Sequence, residues 1–521
     1  MVSPIGVAVS SGASSNLPAS TPGSKRKVTP SAELSSSKRV LILMTPSKRP
    51  ADTSPGATIS TQPFFAPKRL FPHGDATIAQ QYTYAHPQPP PPKEQDEDAI
   101  WHTKHVLLPF DLRDPGISIK GEVQDLLRSI FPGTHNVAEA RFRSHLIFQV
   151  DQLPSSPWPL TVGGVPFTLL AENQGRALMF PRQIHGNPSI SIYSQGYDVV
   201  LFSDANLRRL AADVHAHFEK KVPGLRVLEL MHTCERTIYI VLEDHVNLDQ
   251  VRAKVPGKIA NCFVGYLHNQ ELCRPSWADM PAKRVVQPQP MTGVIDNTAY
   301  EVLRPGVLIR SKMLRDHAHP AVFSTTSGVL VENDVGDTFM TAASHGIGDG
   351  ETVWQADRPD RTIGEAVVEI SFTDVNLLKL KDDVTFVNQT FETDAGTSPE
   401  FTRLQTSEDE LPWDLCHLNS PYTGNMEAFM VAKSVRFFKS SPYLAERNLE
   451  YIVYDWNHMG QEAGNEGKFR PPDGTCGSVI WDGCGVILGF YHFYIAEGNW
   501  AGFSVSASAS AVVDAGYRLA K

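Results

Sequence analysis

Three side chains in the C-terminal half of this chain are of the types that acyl-transfer chemistry needs. Cys476 lies in "DGTCGSVIW", between Thr475 and Gly477 in a glycine-rich turn that runs into an apolar stretch. His345 follows the small residues of "DTFMTAAS", and Asp374 opens the apolar run of "TDVNLLKL". A thiol attacks a carbonyl as its thiolate, and a neighbouring imidazole can hold it in that form. A carboxylate behind the imidazole fixes the ring tautomer and stabilises the imidazolium. Each residue also has a plainer reading: a hairpin turn that contains a cysteine, a structural histidine after a strand, and an aspartate that caps a turn. Cys484 in "DGCG" and Ser478 are rival nucleophiles. Asp349, Asp382 and Asp383 are reserve carboxylates, and His417 and His458 lack comparable surroundings.

The elements that must position these groups read as short strands. From Tyr300 onward, "GVLIR", "SGVLVE", "DTFMTAA", "AVVEISF", "EAFMVAKSVRFF", "EYIVYDW", "GSVIW", "GVILGFYHFY" and "GFSVSAS" alternate with Gly, Asp, Asn and Pro. So many short apolar runs with turn punctuation predict an all-β barrel or sandwich, or two barrels. The polar stretch 390–425 reads as a connector between two halves. His345 and Asp374 fall on one side of it and Cys476 on the other. The final "ASAVVDAGYRLAK" predicts a terminal helix.

These motifs resemble those of chymotrypsin-like (PA clan) peptidases over roughly residues 300–521. "FMTAASHG" resembles the Thr-Ala-Ala-His segment of that family, with Ser344 inserted before the histidine. "TDVNLLKL" resembles its Asp-Ile-Ala-Leu-Leu-Lys-Leu segment. "GTCGS" is similar to the Gly-Asp-Ser-Gly-Gly turn, and closer to the Gly-x-Cys-Gly-Gly turn of picornavirus 3C-type cysteine peptidases. The resemblance implies a chymotrypsin-like double β-barrel and a cysteine endopeptidase. Its triad would be Cys476, His345 and Asp374, with the amides of Gly474 and Cys476 as oxyanion hole. It also implies that His492, in "LGFYHF", reads a substrate Gln or Glu, and that Arg470 forms a pocket wall that favours an acidic side chain. No cofactor or metal is expected.

Upstream, residues 103–272 read as an α+β accessory region. "YDVVLF" (197–202) is a strand, followed by a helix with Leu207, Leu210, Ala211, Val214 and Phe218 at helical spacing. Strands at 225–231, 237–244 and 261–267 and a short helix at 247–255 complete a β-α-β-β-α-β order, which predicts a ferredoxin-like split unit. Residues 105–171 read as a degenerate second copy. Residues 273–299 form a proline-broken linker.

Residues 1–100 are rich in Ser, Pro, Thr and Ala and predict a disordered tail. Residues 1–72 hold nine Lys/Arg against Glu33 and Asp52, in a chain whose net charge is −10. A basic tail on an acidic body points to a polyanion or an import receptor as partner of residues 25–69. No secretory leader or membrane-spanning run is legible. The six cysteines lack zinc spacing, so free thiols in a cytoplasmic or nuclear compartment are expected. Two other functions fit this sequence: a catalytically inactive barrel that binds proteins, and a nucleic-acid-associated protein led by the tail.

Overall fold

The computed structural model describes residues 40–42, 101, 105–114, 116–139, 146–154, 158–159, 161–165, 167–171, 184–192, 203–234, 237–275, 295–312, 322–347, 352–356, 358–370, 372–393, 398–410, 415–438, 447–456, 471–472 and 474–521. The described part is mostly β.

Residues 308–380 form a six-stranded antiparallel ring. Leu308–Lys312 pairs with Val322–Thr326 on one side and Thr352–Gln355 on the other. The ladder continues through Thr362–Ile370, Val375–Leu380 and Thr338–Ala343 to Leu330–Asn333. Val322–Thr326 and Leu330–Asn333 are consecutive parts of one segment. Gly328 and Val329 bond Thr341 between them, at 2.7 and 2.8 Å, which closes the ring. Inward positions recur with the two-residue period of a strand and fill the ring with Ile309, Met340, Ala342, Val353, Ile363 and Leu378.

A second ring runs Leu415–Ser420, Gly424–Phe438, Arg447–Asp455, Phe503–Ser508, Val486–Tyr494, Val479–Asp482 and back to Leu415–Ser420. Leu418, Met430, Ile452, Ile480 and Leu488 pack inside it. Burying one such side chain stabilises by roughly 1.5–3 kcal/mol, and closure removes the free edges an open sheet would expose. The polar connector is shorter than expected, since Arg403–Leu404 and Leu415–Ser420 are strands within 390–425. The expected terminal helix is confined to Ser510–Asp514. Gly516, at φ +93°, ends it, and Tyr517–Leu519 returns as a strand beside Leu330–Asn333 of the first ring.

In the accessory region, helix Asp204–Lys221 starts where expected, with Ser203 accepting the Asn206 amide as N-cap. Its buried face is the expected stripe. Strands Val227–Thr233, Thr237–Leu242 and Cys262–His268 also lie where expected, whereas the second helix shrinks to Leu248–Val251. The split-unit order is not shown. Residues 197–202 lie outside the described residues. Thr237–Leu242 and Cys262–His268, which a split unit would separate by its first strand, pair directly in parallel. Residues 105–171 hold the helix Glu122–Arg128 and strands Leu146–Val150 and Phe167–Ala171, plus an unforeseen strand, Thr134–Glu139.

The accessory sheet and the second ring are continuous. Gly424–Phe438 is 15 residues long, and its second half pairs with Val227–Thr233. Buried ion pairs fasten that junction: Glu229 binds Arg436 at 2.9 Å and Arg274 at 2.6 Å. Asp204 binds Lys433 at 3.0 Å. Of the tail expected to lack structure, Val40–Ile42 is a strand that pairs in parallel with Val368–Ile370, and its other residues lie outside the described ones.

Candidate active site

Each of the three groups is delivered by a different element. Strand Thr338–Ala343 runs into a 3-10 turn at Ser344–Gly346, which carries His345. Ser344 opens this turn, and its amide donates to the Asp374 carbonyl at 2.7 Å. Asp374 sits in the loop before Val375–Leu380 at φ +60°, a left-handed conformation that aspartate tolerates better than most residues. That backbone turns its carboxylate onto the histidine. Oδ1 accepts the His345 amide at 2.9 Å, and Oδ2 meets His345 Nδ1 at 2.5 Å.

Cys476 comes from the second ring, and its sulfur is near enough to the His345 imidazole to favour that ring's charged form, while its thiol donates to the His492 carbonyl at 3.2 Å. All three side chains are nearly buried: His345 is 8% exposed, Cys476 7%, and the Asp374 side chain 12%. Burial disfavours the His345 imidazolium, but the charge of Asp374 and the sulfur of Cys476 outweigh it and raise the ring well above its ordinary value. Burial likewise opposes the Asp374 carboxylate, but His345 and then His492 hold it below the usual carboxylate range.

The turn around Cys476 is shaped by its glycines and by the first ring. Gly474 and Gly477 have φ +98° and +88°, conformations other residues avoid. A Cβ on Gly474 would meet the Tyr422 ring at 2.6 Å, and one on Gly477 would meet the Ala343 amide nitrogen at 2.6 Å. The turn's carbonyls point into the first ring. Thr325 donates to Cys476 O at 2.6 Å and Thr326 to Gly474 O at 2.7 Å. The Thr475 amide donates to the Pro472 carbonyl at 3.0 Å and the Gly477 amide to the Tyr491 carbonyl at 2.9 Å. Among the described residues, no hydrogen bond uses the amides of Gly474 or Cys476. An arrangement of this kind can present two N–H donors to a developing oxyanion.

His492 lies beside Asp374. The ladder register shifts between Tyr491 and Phe493, and His492 is buried there at 3% exposure. Its Nε2 faces Asp374 Oδ2 at 3.5 Å, its ring stacks on Tyr451, and its carbonyl is 3.2 Å from Cys476 Sγ. Arg470, Asp349 and His458 lie outside the described residues. Cys484 is exposed in its hairpin, Asp382 and Asp383 are exposed, and Ser478 is buried behind the turn. His417 is engaged elsewhere, beside Glu427 and stacked on Trp481. Thr325 and Thr326 were missed from the sequence. "FSTTSG" carries no signal that its hydroxyls would reach a turn some 150 residues away, at separations of 151 and 148.

A cleft of about 860 Å³ flanks the turn beyond Tyr422, lined by Asp296, Thr298, Glu392, Asn419 and Asn425 among others. None of His345, Asp374 and Cys476 lines it. All six cysteines are free. Among the described residues, no cluster of His, Cys, Asp and Glu has the makings of a metal site, and no helix is long and apolar enough to cross a membrane.

No family model and no curated protein matches this sequence. Solved structures similar to part of it are chymotrypsin-like serine proteases. One is a glutamic-acid-specific serine protease with a histidine triad in substrate binding, at 11% identity and TM-score 0.30, covering 42% of this chain and 100% of that one. Another is the Nocardiopsis protease NAPase, at 12% identity and TM-score 0.29, covering 42% and 99%. A third is the chymotrypsin of Cellulomonas bogoriensis, at 13% and 0.28, covering 42% and 99%. TM-scores this low carry no argument, so the two rings stand on the strand pairings given above and the His345–Asp374 pair on its hydrogen bonds.

Proposed function

We propose that this chain is a cysteine endopeptidase of chymotrypsin-like architecture. Cys476 attacks the scissile carbonyl as thiolate. His345 holds the thiolate and then protonates the leaving amine. Asp374 keeps Nδ1–H directed at itself and offsets the imidazolium charge. The amides of Gly474 and Cys476 receive the oxyanion, a contribution of about 2.7–4 kcal/mol per donor in known cases. The observation that supports this reading is the His345–Asp374 pair of the first ring, bonded through Nδ1 at 2.5 Å, with the sulfur of Cys476 from the second ring acting on the same imidazole.

The test is a peptide-library digest with wild type and Cys476→Ala, alongside iodoacetamide labelling near neutral pH. Cleavage lost in the variant, with Cys476 labelled far faster than the other five cysteines, is the expected result. No cleavage and no preferential labelling would leave a protein-binding barrel as the better reading. A preference for Gln, Glu or Asp before the scissile bond would be read from the same digest.

A further inference from the structure

The carboxylate of Asp374 is shared by two imidazoles. His345 Nδ1 lies 2.5 Å from Oδ2, and His492 Nε2 lies 3.5 Å from the same oxygen. The two rings are 6.3 Å apart, centroid to centroid, with an interplanar angle of 30°. His492 is held firmly. Its ring is stacked on Tyr451 at 6.1 Å and edge-on to Phe493 at 5.0 Å. The Arg274 guanidinium covers the Tyr451 and Phe493 rings at 5.4 and 5.8 Å, and it is fixed in turn by Glu229 of the accessory sheet. A packed series thus runs from the accessory region to the oxygen that orients His345.

Resting on the peptidase reading above, we propose that His492 is a positioning residue for the reaction rather than a reader of the substrate side chain. With a proton on Nε2, it presents the positive end of an N–H to Asp374 Oδ2. This confines the carboxylate to the rotamer in which Oδ1 meets the His345 amide and Oδ2 meets Nδ1. A carboxylate free to rotate would let His345 turn away from the sulfur, and placement errors of this kind are costly to rate. The backbone of the same residue borders the nucleophile, since its carbonyl lies 3.2 Å from Cys476 Sγ. His492 therefore touches both ends of the chain of groups, through its ring at one end and its carbonyl at the other.

The experiment uses the full chain with His492→Phe, which keeps a ring on Tyr451 and removes the N–H, and with His492→Gln, whose amide can donate again. Peptides carrying Gln or Ala before the scissile bond are compared. The expected result for His492→Phe is a fall in kcat of about tenfold, the scale of one hydrogen bond to a charged group. It should be equal for both peptides and leave KM unchanged, and His492→Gln should recover most of the loss. Iodoacetamide labelling of Cys476 should slow in parallel. A changed Gln-to-Ala preference at constant kcat, or an unaltered variant, would overturn the proposal. Nitrogen NMR of the wild type gives a check that needs no variant, because an unprotonated Nε2 on His492 would overturn it as well. Wild-type Cys476 that labels no faster than the other cysteines would remove both this proposal and the peptidase reading. A reactive wild type with an indifferent His492→Phe variant would remove this proposal alone.

Discussion

The hydroxyl of Thr325 donates to the carbonyl of Cys476 at 2.6 Å, across the seam between the two rings. The amide of Thr326 donates to the same oxygen at 3.1 Å. The first ring therefore supplies more than His345 and Asp374. It also draws the carbonyl of the nucleophile residue away from the side where substrate would lie. Thr325→Val keeps the shape and removes one of these two bonds. We expect it to cost about 1 kcal/mol in urea unfolding and to lower kcat more than it raises KM. Unchanged unfolding together with unchanged kcat would mean that the bond does not hold the turn.

The His345–Asp374 pair makes stability depend on pH in a way whose sign can be worked out. His345 is raised above its ordinary 6.5. Its contribution is fully present below that value and is lost as pH rises through the folded value. Asp374 is lowered below its ordinary 3.8, so its contribution is present above 3.8 and lost as pH falls through the folded value. Both act together between 3.8 and 6.5. The stability lost in Asp374→Asn should be greatest in that window and should shrink in alkaline solution, as read by urea unfolding at a series of pH values. The NMR titration midpoint of His345 should fall in the same variant. A loss that grows steadily above neutral pH would contradict this account.

Gly477 is required by two separate restrictions. Its φ is +88°, and a Cβ would lie 2.6 Å from the Ala343 amide nitrogen and 2.8 Å from the Thr326 carbonyl. Both neighbours are backbone of the first ring and have little room to yield. Gly477→Ala should destabilise by more than about 1 kcal/mol and should abolish rapid labelling of Cys476. Gly483→Ala is the control, because a Cβ there meets nothing within 4 Å. Equal thermal midpoints for the two variants would refute the argument.

Asp204 ties the accessory helix to the second ring. Its carboxylate accepts from Lys433 at 3.0 Å, Ser508 at 2.6 Å, Ser510 at 2.7 Å and Gln405 at 3.2 Å, all buried. Burial opposes its ionisation, but Lys433 and the two serines outweigh that and hold the carboxyl below the usual range. Asp204→Ala would leave the Lys433 ammonium buried without its counter-charge, at a cost of about 3–5 kcal/mol. Adding Lys433→Met should return much of that stability. A double variant no more stable than the single one, measured by denaturant unfolding, would show that the ion pair is not the source of the loss.

Much of this architecture was legible from local pattern. "DTFMTAA", "EYIVYDW" and "GVILGFYHFY" became strands because each is a short, largely apolar run between turn residues, buried on both faces over most of its length. The stripe from Leu207 to Phe218 became the buried face of a helix because its apolar residues recur at the 3.6-residue period. Val322–Thr326 and Thr352–Gln355 were missed because each is short and carries polar residues into buried positions. Thr325, Thr326 and Gln355 are fully buried, and they have partners supplied by distant chain. The C-terminal helix was overread because helical propensity cannot see that Tyr517–Leu519 has a strand waiting beside it.

By itself, the sequence determined which groups were available: a thiol in a glycine turn, an imidazole after a strand of small residues, and a carboxylate ahead of an apolar run. These are local properties, written in neighbouring residues. The tertiary structure alone decided that Asp374 meets His345 through its amide and Nδ1, and that Cys476 of the other ring acts on the same imidazole. It also decided that two threonines of one ring hold the nucleophile turn of the other, and that a register shift turns His492 onto Asp374. Those outcomes depend on strand pairing over long separations, and no run of adjacent residues encodes where a distant strand will lie.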